Sequence, residues 1–216
     1  MARHSVGSGP LGRFRPREPS RIDMTLKRVA AVAVLLLGAI ASGCGSSGRA
    51  PRRAGDPSAF AWLRPAPAPS AWPLARLSGT VAMAYPPSWH RIESDPGTVS
   101  AALVVARTGF ITEYLNATPK QANETLQNWA SFRTAHNQEE GDRHEQVLAA
   151  ARDLRFRDGR GSCVIDRYRT TRTSYEEIAC LVQAPTRETV VVAAALASTW
   201  AQDSPALERA VSAFVA

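Results

Sequence analysis

The chain is 216 residues long and carries 26 Lys+Arg against 19 Asp+Glu, a formal net charge of +7. The excess is concentrated at the front: residues 1–43 hold seven basic and two acidic side chains, which leaves 19 − 17 = +2 for the remainder. So nearly balanced a remainder lacks the basic footprint of a nucleic-acid-binding domain, and its length suits one folded domain.

Residues 1–23 have no apolar period and are rich in Arg, Gly, Pro and Ser. They are expected to be disordered or to precede the true start at Met24; a basic arm for nucleic acid is the competing reading. Lys27 and Arg28 then lead into twelve residues, 29–40, without a charge. A spanning helix needs about 20 apolar residues, so residues 24–43 read as a signal peptide instead of a membrane anchor. The stretch narrows to Ala41-Ser42-Gly43 immediately before Cys44.

That tetrad resembles the lipobox of bacterial lipoproteins, although Ala41 stands where the usual pattern has Leu. The resemblance implies a lipid (palmitate) on Cys44 and a protein held to the membrane by that anchor, at the outer face of the cell membrane. Ordinary signal-peptidase cleavage beside an incidental cysteine is the alternative. Two lysines against 24 arginines point to a GC-rich genome such as an actinobacterium's.

Residues 44–78 read as a Pro/Ala/Gly-rich tether, with alternating prolines between Arg64 and Ser70 and with Trp62 and Trp72 on either side. Where the polyproline conformation persists, such a spacer extends about 3.1 Å per residue. Its five arginines against one acid suit anionic headgroups, at about 1 kcal/mol each near a membrane surface, or merely keep a linker solvated. One of the two tryptophans is expected to pack back on the domain.

The domain is placed at residues 79–216. Strands are expected over 80–85, 89–92 and 99–106, with a corner at Pro86-Pro87-Ser88 and a turn at Asp95-Pro96-Gly97. A loop or short strand follows over 110–116. Thr118-Pro119-Lys120-Gln121 has the cap, proline and glutamine spacing of a helix start. Ala122, Leu126, Trp129, Phe132 and Arg133 would line that helix's inner face as far as residue 136 or 137. Next come a strand within 146–156, a hairpin turn at Asp158-Gly159-Arg160-Gly161, and strands over 162–170, 174–183 and 188–197. A last helix is expected from Asp203 or Ser204, with Pro205 at its start and Leu207, Ala210, Val211 and Phe214 inward.

If residues 170–173 form the loop between two of these strands, Cys163 falls opposite Cys180, Ile165 opposite Ile178, Arg167 opposite Glu176 and Tyr168 opposite Tyr175. A Cys163–Cys180 disulfide would then staple the hairpin, by about 3 kcal/mol on the loop-entropy estimate. It would leave Cys44 as the unpaired third cysteine; two buried thiols are the alternative. The same register sets Asp166 against Glu177, a like-charge pair for which the pattern has no account.

Strands, a helix, further strands and a closing helix make an α+β domain, a mostly antiparallel sheet of about six to seven strands packed with helices. Tyr85-Pro86-Pro87-Ser88-Trp89, the helix around Trp129 and the closing strand and helix resemble the Mog1/PsbP-like α/β/α sandwich, in particular its lipid-anchored bacterial members. The resemblance implies a binding or assembly module, not an enzyme, with no cofactor. An NTF2-like cone is the runner-up, though such a fold opens with helices.

Beyond the signal the only histidines are His90, His136 and His144. His144-Glu145-Gln146-Val147-Leu148 lacks the second histidine of a zinc helix, and no metal-ligating set or nucleophile elbow is present. Arg152, Arg155, Arg157, Arg160, Arg167, Arg169 and Arg172 form the densest basic cluster. The expectation is therefore a lipid-anchored, extracytoplasmic, non-catalytic binding or assembly module of the cell envelope. Its partner would be an envelope protein or an anionic envelope component. The alternative is a secreted enzyme or small-ligand carrier with a cleft formed by Tyr85, Trp89, His90 and Asn116.

Overall fold

The computed structural model describes residues 57–77 and 79–216. The signal stretch, Cys44 and the first part of the tether lie outside the described residues. The rest of the tether does not behave as a spacer. After a 3-10 turn at Pro57–Phe60, strand β1 (Leu74–Arg76) pairs with β2 (Ala82–Ala84) in a two-stranded sheet. Ala59, Phe60 and Ala75 are buried in the core, and Trp62 and Trp72 both pack against it. The domain therefore begins by Pro57 and not at Gly79. Its prolines let an extended chain carry aromatic anchors across the core without leaving many backbone donors to satisfy.

The main sheet has seven strands, all antiparallel: β3 (His90–Ile92), β4 (Val99–Val105), β5 (Phe110–Pro119), β6 (Arg143–Arg155), β7 (Arg160–Arg169), β8 (Ser174–Ala184) and β9 (Arg187–Leu196). Their order is β3-β4-β5-β9-β8-β7-β6. Two meanders thus meet where β5 pairs with β9. Helix α1 (Trp129–Glu139) carries the chain from β5, inside the sheet, to β6 at its far edge, and α2 (Trp200–Ser212) closes the chain.

The β7–β8 register matches the expected one at every pair, including Cys163 opposite Cys180 and Asp166 opposite Glu177. The two cysteines form a disulfide in the core. Side chains alternate between the faces of a strand, so each face has its own set. Ile165, Ile178, Val191 and Ala193 lie with α2 residues Leu207 and Val211, and with Phe214 just beyond the helix, in one cluster. Val164, Ala179, Leu181 and Val192 lie with Trp129 of α1 in the other. Sheet between helices is the resulting α+β architecture.

Both helices start away from their proline signals. Thr118 and Pro119 end β5, and the backbone N–H of Lys120 donates to Glu188, continuing the ladder with β9. The next two donors, on Gln121 and Ala122, reach the Glu124 carboxylate at 2.8 Å each. Those turns delay α1 until Trp129, and Gly141, in the left-handed region at φ 96, terminates it. Helix α2 starts at Trp200, with Pro205 inside it instead of at its N-terminus. Packing of Trp200 against the core and Asp203 in the first turn favour the earlier start. Among the described residues no helix is long and apolar enough to cross a membrane.

Candidate functional site

The residues expected to share a cleft are not brought together. Tyr85 and Trp89 are buried in the cluster beneath α2, fixed by a turn in which the Trp89 N–H donates to the Pro86 carbonyl at 3.0 Å. His90 is exposed on edge strand β3. Asn116 lies on the opposite face from its neighbours Leu115 and Ala117, where its Nδ2 donates to Ser100 Oγ at 3.2 Å. The aromatic-proline corner is a packing element.

The arginines do not share one surface either. Arg167 and Arg169 follow Cys163 and Ile165 on the α2 face, whereas Arg160 points to the α1 face at the other end of the strand. Arg167 is paired with Glu176 at 2.8 Å. At the far end Arg155 stands directly opposite Arg160, both exposed, with exposed Arg157 in the turn between them. Like charges placed directly across a ladder oppose pairing.

That turn borders an open depression of about 710 Å³, lined among others by Asp158, Arg160, Gln183, Pro185 and Arg187. The hairpin comes so close to β8 here that a Cβ on Gly159 would overlap the Gln183 carbonyl oxygen. Glu188 in the same lining is engaged by Lys120 Nζ at 2.8 Å and by Gln183 Nε2 at 2.9 Å.

The densest chemistry lies elsewhere, under α1. Asp166 and Glu177 sit side by side on β7 and β8, both fully buried. From the helix, Arg133 Nε donates to Glu177 Oε1 at 2.6 Å and Nη2 to Oε2 at 2.9 Å, a two-point pair at the centre of the like-charge contact. The Tyr114 hydroxyl, 3.4 Å from Glu177 Oε2, lies 2.9 Å from the Tyr168 hydroxyl. Trp129, one turn before Arg133, anchors the helix by donating Nε1–H to the Ala179 carbonyl at 2.8 Å.

Glu145 completes this cluster from β6. It lies where the β6–β7 register shifts between Arg143 and Gln146, next to His144 in the left-handed region at φ 56. Such a bulge re-aims a side chain. No donor is in place for either carboxylate oxygen of Glu145 or of Asp166. Asn137 Nδ2, on the last turn of α1, acts on Glu145 but reaches no acceptor at hydrogen-bond geometry.

Three carboxyl groups therefore face one guanidinium. Burial pushes the Glu145 carboxyl up to about 7, with the charge of Glu177 adding to the rise. Burial and then Glu177 raise Asp166 far above the usual carboxylate range, Arg133 opposing. Burial would lower the Arg133 guanidinium, but Glu177 more than reverses this, so its charge is held. The Tyr114 and Tyr168 hydroxyls are likewise raised, mainly by burial, and stay protonated. Among the described residues no group of three His, Cys, Asp or Glu is arranged to hold a metal ion.

Arg133 carried a signal in the sequence, as a charge four residues after Trp129 on an otherwise apolar stripe. Asp166 opposite Glu177 carried another. Put together, the helical charge is the partner that the strand pair lacked. Nothing in the spacing marked Glu145, whose direction depends on the bulge.

No protein-family model matches the chain, and no curated protein matches it. Among solved structures it is similar to cyanobacterial PsbP (CyanoP) from Synechocystis sp. PCC 6803, at 15% identity over 81% of this chain and 97% of that one, with a TM-score of 0.46. It is also similar to the Pseudomonas aeruginosa protein PA94, at 9% identity over 67% of this chain and 96% of that one, TM-score 0.39. A Bacteroides thetaiotaomicron protein matches at 12% identity over 65% of this chain and 47% of that one, TM-score 0.37. None of the three assigns a role to a residue here.

Proposed function

We propose that the chain is a lipid-anchored, extracytoplasmic, non-catalytic binding or assembly module of the cell envelope, and that the end of the β6–β7 hairpin receives an anionic, phosphate-bearing envelope component. The observation that carries this reading is the exposed Arg155–Arg160 cross-strand pair with Arg157 between them, beside the open depression. Repulsion across the ladder weakens the hairpin, and a bound polyanion relieves it while gaining three charge contacts. Tyr85 and Trp89 lie in the core, which favours a module over the enzyme or carrier reading. The anchor rests on Ala41-Ser42-Gly43-Cys44.

Soluble polyphosphate serves as the probe. The protein is expected to bind it with an affinity that falls as salt rises, because the contacts are between exposed charges. Changing Arg155, Arg157 and Arg160 together to Gln is expected to weaken binding at least tenfold while leaving the fold intact. Equal binding by the triple variant refutes the docking surface. Intact-mass measurement of the mature protein tests the anchor separately: a diacylglyceryl adduct on Cys44 is expected, and an unmodified N-terminus at Ser42 rules it out.

A further inference from the structure

We propose that Glu145 and Asp166 hold one proton between them, and that this proton latches the corner at residues 141–146 onto the sheet and releases it as pH rises. The inference goes beyond the docking reading and does not depend on the partner.

The geometry is specific. Glu177 has its counter-ion in Arg133, whose two donors both go to that carboxylate. Asp166, fully buried and directly across the ladder from Glu177, is left without a donor on either oxygen, and so is Glu145. A second polar group looks into the same space: Asn137, 1% exposed, whose Nδ2 acts on Glu145 without reaching hydrogen-bond geometry. If all three carboxyls were ionised the cluster would hold two uncompensated negative charges in a buried site, which side chains avoid by keeping a proton. A single proton between Glu145 and Asp166 supplies the missing donor and removes one charge.

The corner that carries Glu145 is built to move. It joins α1 to the edge strand β6, which has a ladder partner on one side only. It contains two left-handed residues, Gly141 and His144, and the register shift between Arg143 and Gln146. Its outer pair is Arg143 opposite Arg169, another like-charge contact. The Asp142 N–H, donating to the Asn137 carbonyl at 3.0 Å, ties the corner to α1, and ionising Glu145 sets repulsion from Glu177 and Asp166 against that attachment.

Other groups around the cluster do not supply this proton. Arg133 on α1 stays charged, and Tyr114 on β5 and Tyr168 on β7 stay protonated through the neutral range. Burial and then Arg133 lower His136 on α1, with Glu139 and Glu177 opposing, which favours its neutral form. Asp142 acts on Tyr114 from the corner itself and adds negative charge.

Hydrogen exchange of the full chain, read on peptides covering residues 141–147 and corrected for the intrinsic pH dependence of amide exchange, tests the latch. With Glu145 shifted from 4.5 to about 7, the opening equilibrium is expected to rise about tenfold per pH unit between about pH 5 and 7 and then level off. Peptides of β8 and β9 should not follow it. Glu145→Gln, which keeps the shape and cannot ionise, is expected to abolish the rise. A flat wild-type profile, or an undiminished rise in the variant, overturns the proposal. Carbon-13 carboxyl spectra of the wild type give an independent reading. One titration of the Glu145 and Asp166 pair near neutrality is expected, and ordinary acidic titration of both overturns it.

Discussion

Replacing Arg133 by Met removes the guanidinium that pairs with Glu177 in the buried cluster and is expected to leave the packing of α1 nearly unchanged. The Arg133 side chain is 13% exposed and that of Glu177 0%, so water cannot replace the lost pair. Removing one partner of a buried ion pair costs about 3–5 kcal/mol, because the remaining charge is stranded. At roughly 2–4 °C per kcal/mol for a protein of this size, the melting temperature should fall by roughly 10 °C. The sign with pH follows from the carboxyls. Without Arg133 nothing opposes the rise of Asp166 and Glu145, so both hold their protons to a higher pH than in the wild type. Folded-state pKa values raised in this way give stability that is full in acid and lost as pH rises through them. The deficit should therefore be small near pH 4 and largest near pH 8. Adding Glu177→Leu removes the stranded charge and should recover most of the loss, since a buried pair exchanged for apolar groups of similar volume is close to neutral. Urea unfolding followed by circular dichroism at both pH values measures all three proteins. A loss below about 1 kcal/mol at pH 8, or a double variant no more stable than the single one, refutes the reasoning.

The disulfide closes a separation of 17 residues inside the core, and changing both Cys163 and Cys180 to Ala should cost about 3 kcal/mol, read as a lower urea midpoint; an unchanged midpoint refutes the staple. On the other face Glu113 is pushed up to about 7, by burial first and by Asp203 of α2 second. It therefore contributes a stability loss as pH climbs from about 4.5 to about 7, and Glu113→Gln should give a shallower profile of melting temperature against pH over that window. A profile parallel to the wild type would count against it.

The β7–β8 hairpin was legible to the residue, because a period of two and a fixed loop leave one register that buries the apolar set and brings the cysteines together. Helix starts were less legible. Thr118 and Pro119 carry a cap signal that the pairing of β5 with β9 overrides, since the backbone of Lys120 finds its acceptor across the ladder before a helix can claim it. The tether expectation fails from Pro57 onward for a related reason. Proline content forecasts an extended chain but not whether that chain runs through solvent or along a core, and Phe60, Trp62 and Trp72 decide for the core. The arginine cluster divided because strand parity sends Arg160 to one face and Arg167 to the other.

The like-charge pair that looked like a flaw in the hairpin has a structural consequence. Asp166 opposite Glu177 weakens β7–β8 pairing by itself and would be avoided if the hairpin were the whole structure. In the assembled sheet it creates one place on the α1 face where a guanidinium is strongly favoured, and Arg133 is the residue that α1 delivers there. Apolar contacts of Trp129, Leu126 and Val164 hold the helix down but would tolerate sliding or rotation. A two-point pair to Glu177, with Trp129 fixed to the Ala179 carbonyl one turn earlier, does not tolerate it. The helix is thereby set in position, and Asp166 is left without a cation of its own. That leftover carboxyl is the reason Glu145 can meet it through a shared proton, so the element that locates α1 also creates the pH-sensitive corner beside it.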